Sequence, residues 1–142
     1  MSRWETTSTL EADVSPADVW EKAYASAEAW PRWNTEIKHA RLDGPLALGV
    51  KAKIVFGTDL RLRFRVVEFE EGRLFTDESR MPGARMGHRH LIEQTESGHC
   101  RLINTIYIEG TLAPLWRRIM GPAAVRALPD AQHAVVNLAR GS

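Results

Sequence analysis

One stretch in the last third of the sequence decides the fold. Residues 111–140 read TLAPLWRRIMGPAAVRALPDAQHAVVNLAR. Apolar residues recur there three or four positions apart, which is typical of a helix with one buried stripe. The stripe comprises Leu112, Leu115, Trp116, Ile119, Met120, Ala123 or Ala124, Ala127 or Leu128, Ala131, Val135 and Leu138. The opposite, polar side comprises Arg117, Arg118, Arg126, Gln132, His133 and Asn137. We predict one long helix, which Pro122 and Pro129 should bend or interrupt.

The sequence before this helix has the alternation and the turn residues of β-strands. A first strand is expected at residues 4–13, and then a short helix that Ser15 caps and Pro16 begins. A second short helix is expected within residues 27–34. Six more strands are expected at residues 36–42, 50–56, 60–66, 73–81, 84–94 and 100–109. Short turns between them favour an antiparallel meander, and its apolar face needs the long helix as a cover, which predicts an α+β fold.

Composition narrows the class of protein. The chain has 142 residues, 44% of them hydrophobic and 26% charged, with a formal net charge of +1. These values predict a single domain spanning residues 1–142 and give no electrostatic reason to expect a nucleic-acid partner. Cys100 is the single cysteine, which excludes an intrachain disulfide and fits a cytoplasmic location. No apolar run reaches the length of a membrane span, and no phosphate or nucleotide loop suggests a cofactor. A monomer or a homodimer is expected.

Several motifs, in order along nearly the whole chain, resemble one known group of proteins. They are Ser15-Pro16-Ala17-Asp18-Val19-Trp20, Trp30-Pro31-Arg32-Trp33-Asn34, Leu42-Asp43-Gly44-Pro45 with Leu48-Gly49, and GTLAPLW at residues 110–116. The chain resembles the polyketide cyclase/dehydrase group of the START/Bet v 1-like (SRPBCC) superfamily. The resemblance implies a helix-grip fold, in which a curved antiparallel sheet of about seven strands wraps around the long helix and encloses an apolar cavity. It implies no shared catalytic motif, because chemistry differs among members.

Strand periodicity selects the side chains that would line such a cavity. His88 and His90 share a face with Met86, and on the next strand Asn104 shares a face with Ile106. Because their companions are apolar, we expect these polar groups to point inward. The predicted cavity residues are Trp30, Trp33, Ile54, Phe56, Leu62, Phe64, Glu78, Met86, His88, His90, Asn104, Ile106, Leu115, Trp116, Ile119 and Met120.

Three features allow more than one interpretation. Glu78 shares a face with Leu74, but Phe75 argues for the opposite orientation, so its face is left open. Trp30 and Trp33 either join helix to sheet as a hydrophobic plug or form a ligand entrance. The alternating arginines of residues 61–65 form either an anion patch or a solvated outer face.

The histidine pair also raises the question of a metal site. Zinc requires three or four ligands. A third ligand would have to come from Glu78, His133 or His39, and none of these has a diagnostic spacing, so no metal site is predicted.

Three functions from different classes fit this sequence. The first is binding or carrying a hydrophobic small molecule that resembles a lipid, a polyketide or an aromatic compound. The second is a polyketide cyclase or dehydratase type of enzyme, in which His88 and His90 are the candidate catalytic acid–base residues. The third is a protein-interaction or stress-response module with a small or collapsed cavity.

Overall fold

Seven antiparallel strands form one curved sheet in the computed structural model, which describes residues 2–141. The strands are β1 (Ser2–Ala12), β2 (Ile37–Leu42), β3 (Lys51–Phe56), β4 (Arg61–Glu70), β5 (Leu74–Met81), β6 (Ala84–Gln94) and β7 (Cys100–Gly110). Their order across the sheet is β1-β7-β6-β5-β4-β3-β2. The meander and the α+β class predicted from the sequence are therefore confirmed, and β1 and β2 form the two edges.

Short helical segments carry the chain from the β1 edge to the β2 edge. They are α1 (Pro16–Val19), a π-helical turn (Trp20–Tyr24), a 3₁₀ turn (Ala27–Ala29) and α2 (Trp30–Trp33). The Ser15 hydroxyl accepts a hydrogen bond from the Asp18 amide at 3.1 Å, as expected of an N-cap. The indole N–H groups of Trp30 and Trp33 donate to backbone carbonyls of the preceding turn, and both rings are buried. The two tryptophans thus act as the hydrophobic plug.

The long helix, α3 (Ala113–Ala139), runs through Pro122 and Pro129 without interruption. The alternative that a proline would interrupt the helix is therefore wrong, whereas a bend at either proline stays a prediction. Its buried residues are Ala113, Gly121, Leu128, Gln132, Val135, Val136 and Ala139. Gly121 faces the Trp4 ring, and a Cβ atom at this position would lie 3.4 Å from it, an ordinary contact distance. Within residues 2–141, no helix combines the length and the apolar character needed to span a membrane.

The predicted buried stripe of α3 is partly wrong. Leu115 is 51% exposed and Ile119 is 61% exposed, because small residues such as Ala113 and Gly121 make the close contacts in the first half of the helix. Gln132, which the pattern placed on the polar side, is buried instead.

The burial of side chains between α3 and the sheet differs between the two halves of the helix. Under the second half of α3, the inner face is closed by fully buried side chains such as Leu102, Val135 and Ala139. Under the first half, the inward side chains Trp4 and Met86 keep part of their surface accessible. The inner face of the sheet is therefore covered less completely beneath the first half of the helix than beneath the second.

Candidate functional site

The register of β5 against β6 settles which side chains point inward. Phe75 lies opposite His90, and Asp77 lies opposite His88. Phe75 also packs against Trp30, which fixes this face as the inner one. The alternate residues of β5, including Glu78, therefore point outward.

Glu78 thus corrects the predicted cavity set. It lies opposite Gly87, and its carboxylate accepts a hydrogen bond from the Tyr107 hydroxyl on the outer face of the sheet. Thr76 shares this face and donates to Glu68 at 2.8 Å. Sequence alone left the choice even because Leu74 and Phe75 are both apolar, and both are buried.

His90 is fixed in the inner face by stacking. Its ring centroid lies 4.0 Å from that of Phe75 and 3.8 Å from that of His88. Its Nδ1 atom lies 3.2 Å from the Phe75 carbonyl oxygen. Because a carbonyl can only accept, Nδ1 carries the proton, and Nε2 is a buried acceptor with no partner among the described residues. Burial, with a smaller contribution from His88, holds the His90 pKa well below its usual value, so the ring is neutral.

A directed hydrogen-bond network connects α3 to the inner face. Ser8 donates to the Gln132 side-chain oxygen at 2.8 Å. The Gln132 amide donates to Asn104 Oδ1 at 2.9 Å and to the carbonyls of Ser8 and Leu102. The Asn104 amide then points its own N–H at His88 Nε2, 3.4 Å away. This order of donors makes His88 Nε2 an acceptor and leaves its proton on Nδ1.

His88 differs from His90 in its surroundings. It lies deep in the protein, and burial lowers its pKa to about 4. Even so, part of its surface stays accessible, in contrast to the fully enclosed His90. This combination is typical of a side chain that lines an internal space rather than one packed on all sides.

Asp77 is a nearly buried acid on the inner face of the sheet that has no hydrogen-bond partner within the described chain. It is 8% exposed, and its carboxyl group makes no hydrogen bond within residues 2–141. The basic side chain closest to it is that of His90, whose Nδ1 atom lies 4.0 Å from Asp77 Oδ2. Since His90 is neutral, this contact is no ion pair, and burial raises the Asp77 pKa to about 7. Protonation relieves the cost of burying this carboxyl and leaves its O–H group free to donate a hydrogen bond to a partner from outside the chain.

Tyr24 adds a second polar group without a partner. Its ring packs edge-on against Phe75 and His90. Its hydroxyl is buried on the Asn104 side of the site but has no partner in hydrogen-bonding geometry among the described residues. Burial raises the Tyr24 pKa, so the hydroxyl is protonated.

The remaining residues of the predicted cavity set fall into two groups. Ile54, Phe56, Leu62 and Phe64 pack in the main core together with the two plug tryptophans. Met86, Ile106, Trp116 and Met120 are only partly buried. Leu115 and Ile119 face solvent and do not enclose the interior. Among the described residues, no group of three or more His, Cys, Asp or Glu side chains is placed to hold a metal ion.

Trp116 anchors the start of α3. Its indole N–H donates to the Pro82 carbonyl at 2.9 Å, and the ring packs near Ala84, Ile108 and Ala113. This contact ties the first turn of α3 to the connection between β5 and β6.

Two surface pockets lie away from the helix-covered face. One, of about 640 Å³, is bordered by the ends of β1, β6 and β7, including Asp13 and His99. The other, of about 400 Å³, lies on the outer face of the sheet beside Tyr107 and Arg89. A cavity between α3 and the sheet stays a prediction.

Sequence reasoning missed the buried carboxyl and its surroundings. Asp77 lies in TDES, where polar residues occupy both faces of β5, so periodicity could not select it. Register supplies the missing information, because Asp77 is the direct partner of His88. Gln132 is a polar residue between helical positions that face the sheet, and its position one turn after Leu128 was the available signal.

Solved structures with the same architecture are numerous but distant in sequence. Ara h 8.0201 is 12% identical with a TM-score of 0.74, over 99% of this chain and 100% of that one. Truncated norcoclaurine synthase from Thalictrum flavum is 14% identical with a TM-score of 0.74, over 96% and 93%. A START superfamily protein from Mycobacterium smegmatis is 18% identical with a TM-score of 0.69, over 94% and 97%. At these identities the likeness shows the Bet v 1/START-like fold alone.

Two further comparisons concern the sequence itself. No curated protein matches it. The family model described as polyketide cyclase / dehydrase and lipid transport matches residues 3–140. This match confirms the resemblance found in the motifs. The chain belongs to the polyketide cyclase / dehydrase and lipid transport family.

Proposed function

We propose that the protein binds a hydrophobic small molecule between the inner face of the sheet and the first half of α3. The observation that carries the proposal is the buried Asp77 carboxyl, which has no hydrogen-bond partner within the described chain. Ligand sites are mostly apolar and contain a few converging polar groups. Asp77 and His88 supply such groups at the end of the interior where side chains keep accessible surface.

The chemistry of the site indicates the polar part of the ligand. With a pKa of about 7, the Asp77 carboxyl both donates and accepts hydrogen bonds near neutral pH. His88 presents an Nδ1–H group, because Asn104 occupies its Nε2. Together they match a hydroxyl, phenol or carbonyl group on an otherwise apolar molecule. An anionic head group would lose its hydration without gaining a counter-ion here.

Native mass spectrometry of the protein purified from its own host tests the proposal. A co-purifying molecule should be released on denaturation and should be largely apolar with one or two oxygen functions. Ala124 lies one turn after Gly121 on the sheet side of α3 and is partly buried, whereas Ala123 is exposed. Ala124→Phe should therefore abolish ligand retention, and Ala123→Phe should preserve it. An empty protein that also fails to take up a fluorescent apolar probe would contradict the proposal and favour an interaction module.

A second candidate function, acid–base catalysis, is favoured by one specific observation. Asp77, with a pKa of about 7, lies directly opposite His88 on the neighbouring strand. A carboxyl group that is poised near neutral pH can transfer protons during enolisation or dehydration of a bound ketone. In that case Asp77→Asn would keep the affinity for the ligand and lose its conversion. For a carrier, the same substitution would change affinity only, and no altered product would appear with the wild-type protein.

A further inference from the structure

Six cations project from one face of the sheet, on three adjacent strands at its β2 edge. They are Arg41, Lys51, Lys53, Arg61, Arg63 and Arg65, and all six are exposed. We call this set the basic face. The register places Arg41 opposite Lys53, and Lys53 opposite Arg63. A row of three cations therefore crosses three strands with no acid between them.

The basic face is also free of ion pairs within residues 2–141. Several cations elsewhere on the outer face of the sheet are paired, since Arg85 and Arg3 bind Glu109 and Arg101 binds Glu11. Arg80 on β5 is exposed and forms no ion pair within residues 2–141. Toward β5 the basic face ends at Glu78, which lies opposite Arg65 and is bound by Tyr107. The positive charge is thus concentrated on one region, although the formal net charge of the chain is only +1.

This arrangement is unfavourable for the folded chain alone. Like charges directly opposite each other on adjacent strands destabilise a sheet. Protection of an exposed edge strand against aggregation would account for Arg41 on β2. It does not account for Lys53 and Arg63, because β3 and β4 have partners on both sides.

We propose that the basic face docks the protein onto an anionic membrane surface. Charge complementarity is the main argument, since clustered Lys and Arg side chains are attracted to acidic lipid head groups.

Nucleic acid is a poorer match for the same surface. The outward positions of residues 37–65 include no Phe, Tyr or Trp on which a base could stack.

Membrane docking extends the proposed function, on which it partly rests. A hydrophobic cargo has its main reservoir in lipid bilayers, so a carrier gains from residence at their surface. The basic face lies on the outer side of the sheet, and α3 lies on the inner side. Docking therefore leaves the proposed ligand site, between α3 and the inner face, uncovered by the contact.

Vesicle flotation tests the proposal without any knowledge of the cargo. Vesicles of phosphatidylcholine alone are compared with vesicles that also contain phosphatidylglycerol, at low and at high salt. The test variant is Arg41→Gln/Lys53→Gln/Arg63→Gln. The matched control is Arg117→Gln/Arg118→Gln/Arg126→Gln, which removes the same charge from the exposed side of α3.

The wild type should float only with the phosphatidylglycerol vesicles, and salt should release it. Each basic residue near such a surface strengthens binding roughly five-fold. The test variant should therefore lose about a hundredfold in affinity, and the control much less. Absence of wild-type flotation, or equal losses in the two variants, would overturn the proposal.

A wild-type protein that binds a single-stranded oligonucleotide but not vesicles, with the binding lost in the test variant, would assign the face to nucleic acid. Uptake of an apolar probe, measured on the same samples, reports separately on the proposed function.

Discussion

Gly87 lies directly beneath the ring of Tyr107 on the outer face of the sheet. A Cβ atom at Gly87 would lie 2.1 Å from Tyr107 Cζ. The ring is held from its other sides, because its hydroxyl donates to Glu78 and the Arg3 guanidinium lies 4.3 Å from its centroid. An aromatic side chain that covers a glycine on an adjacent strand is a recognised means of stabilising a sheet. The Tyr107 ring on β7 thus contacts Glu78 on β5 and Gly87 on β6, so its position links three strands.

Replacing Gly87 by alanine should therefore destabilise the protein, although its backbone conformation tolerates a side chain. The ring must move and give up its contacts with Glu78 and Arg3, at a cost of about 2 kcal/mol. Chemical denaturation measures this loss in the free energy of unfolding. In a Tyr107→Ala background the same substitution should be nearly neutral, and equal losses in both backgrounds would refute the explanation.

The buried hydrogen bonds of Gln132 lead to a prediction about stability. Gln132→Leu keeps the size of the side chain but leaves Asn104 Oδ1 and the Ser8 hydroxyl without their partner. Stranded buried polar groups should lower the free energy of unfolding by about 3 kcal/mol. His133→Leu, at the exposed neighbouring position, serves as the control and should change stability little. A small effect of Gln132→Leu would mean that water replaces the lost partner.

Asp77 predicts a pH dependence of stability. Burial raises its pKa from 3.8 in the unfolded chain to about 7 in the folded one. Between these values the native state keeps a proton that the unfolded state has released, so this group lowers stability as the pH rises, and its effect levels off above about pH 7. Asp77→Asn has no such titration.

The free energy of unfolding of Asp77→Asn, relative to that of the wild type, should thus increase as the pH rises from 4 to 7, by up to about 4 kcal/mol. Urea denaturation at a series of pH values measures it. A gap that is constant with pH would show that Asp77 is ionised in the native state.

The histidines predict the opposite trend. Burial lowers the His88 pKa from 6.5 to about 4, and that of His90 lies well below 6.5. Below pH 6.5 the unfolded chain takes up protons that the native state does not, so stability is lost as the pH falls. Between pH 4 and 6.5 the loss of stability caused by the two histidines is larger than the gain caused by Asp77. As the pH falls from 6.5 to 4, the free energy of unfolding of His88→Gln should increase relative to that of the wild type by up to about 3 kcal/mol. Titration of the His88 ring by NMR near pH 6.5 would contradict the prediction.

Sequence periodicity predicted the framework of the fold because strands and caps have local signals. The bounds expected for β6, residues 84–94, agree with the structure, and Ser15 caps the first helix as expected. The alternation of arginines in β4 correctly indicated its outer face, since Phe64 and Val66 between them are buried.

The site was less predictable because its polar groups are selected by tertiary contacts. In β5 both faces are polar, so only pairing with β6 decides that Asp77 points inward and Glu78 outward. In α3 the exposed Ile119 and the buried Gln132 reverse the usual preference. Gln132 is buried because backbone carbonyls of β1 and β7 need its donors, and no local pattern reports such a need.

The position of β1 at the sheet edge beside β7 also constrains how the chain folds. Ser2 pairs with Gly110, and Ala12 pairs with Cys100, whereas β2 to β7 each pair with a strand that is close in sequence. The segment β2–β7 can assemble by successive local hairpins, but β1 must wait for the last strand and close a loop of nearly the whole sheet. During synthesis on the ribosome, β1 is therefore made before the other strands of this sheet and is among the last to find its partner, so its capture by β7 is a step exposed to misassembly.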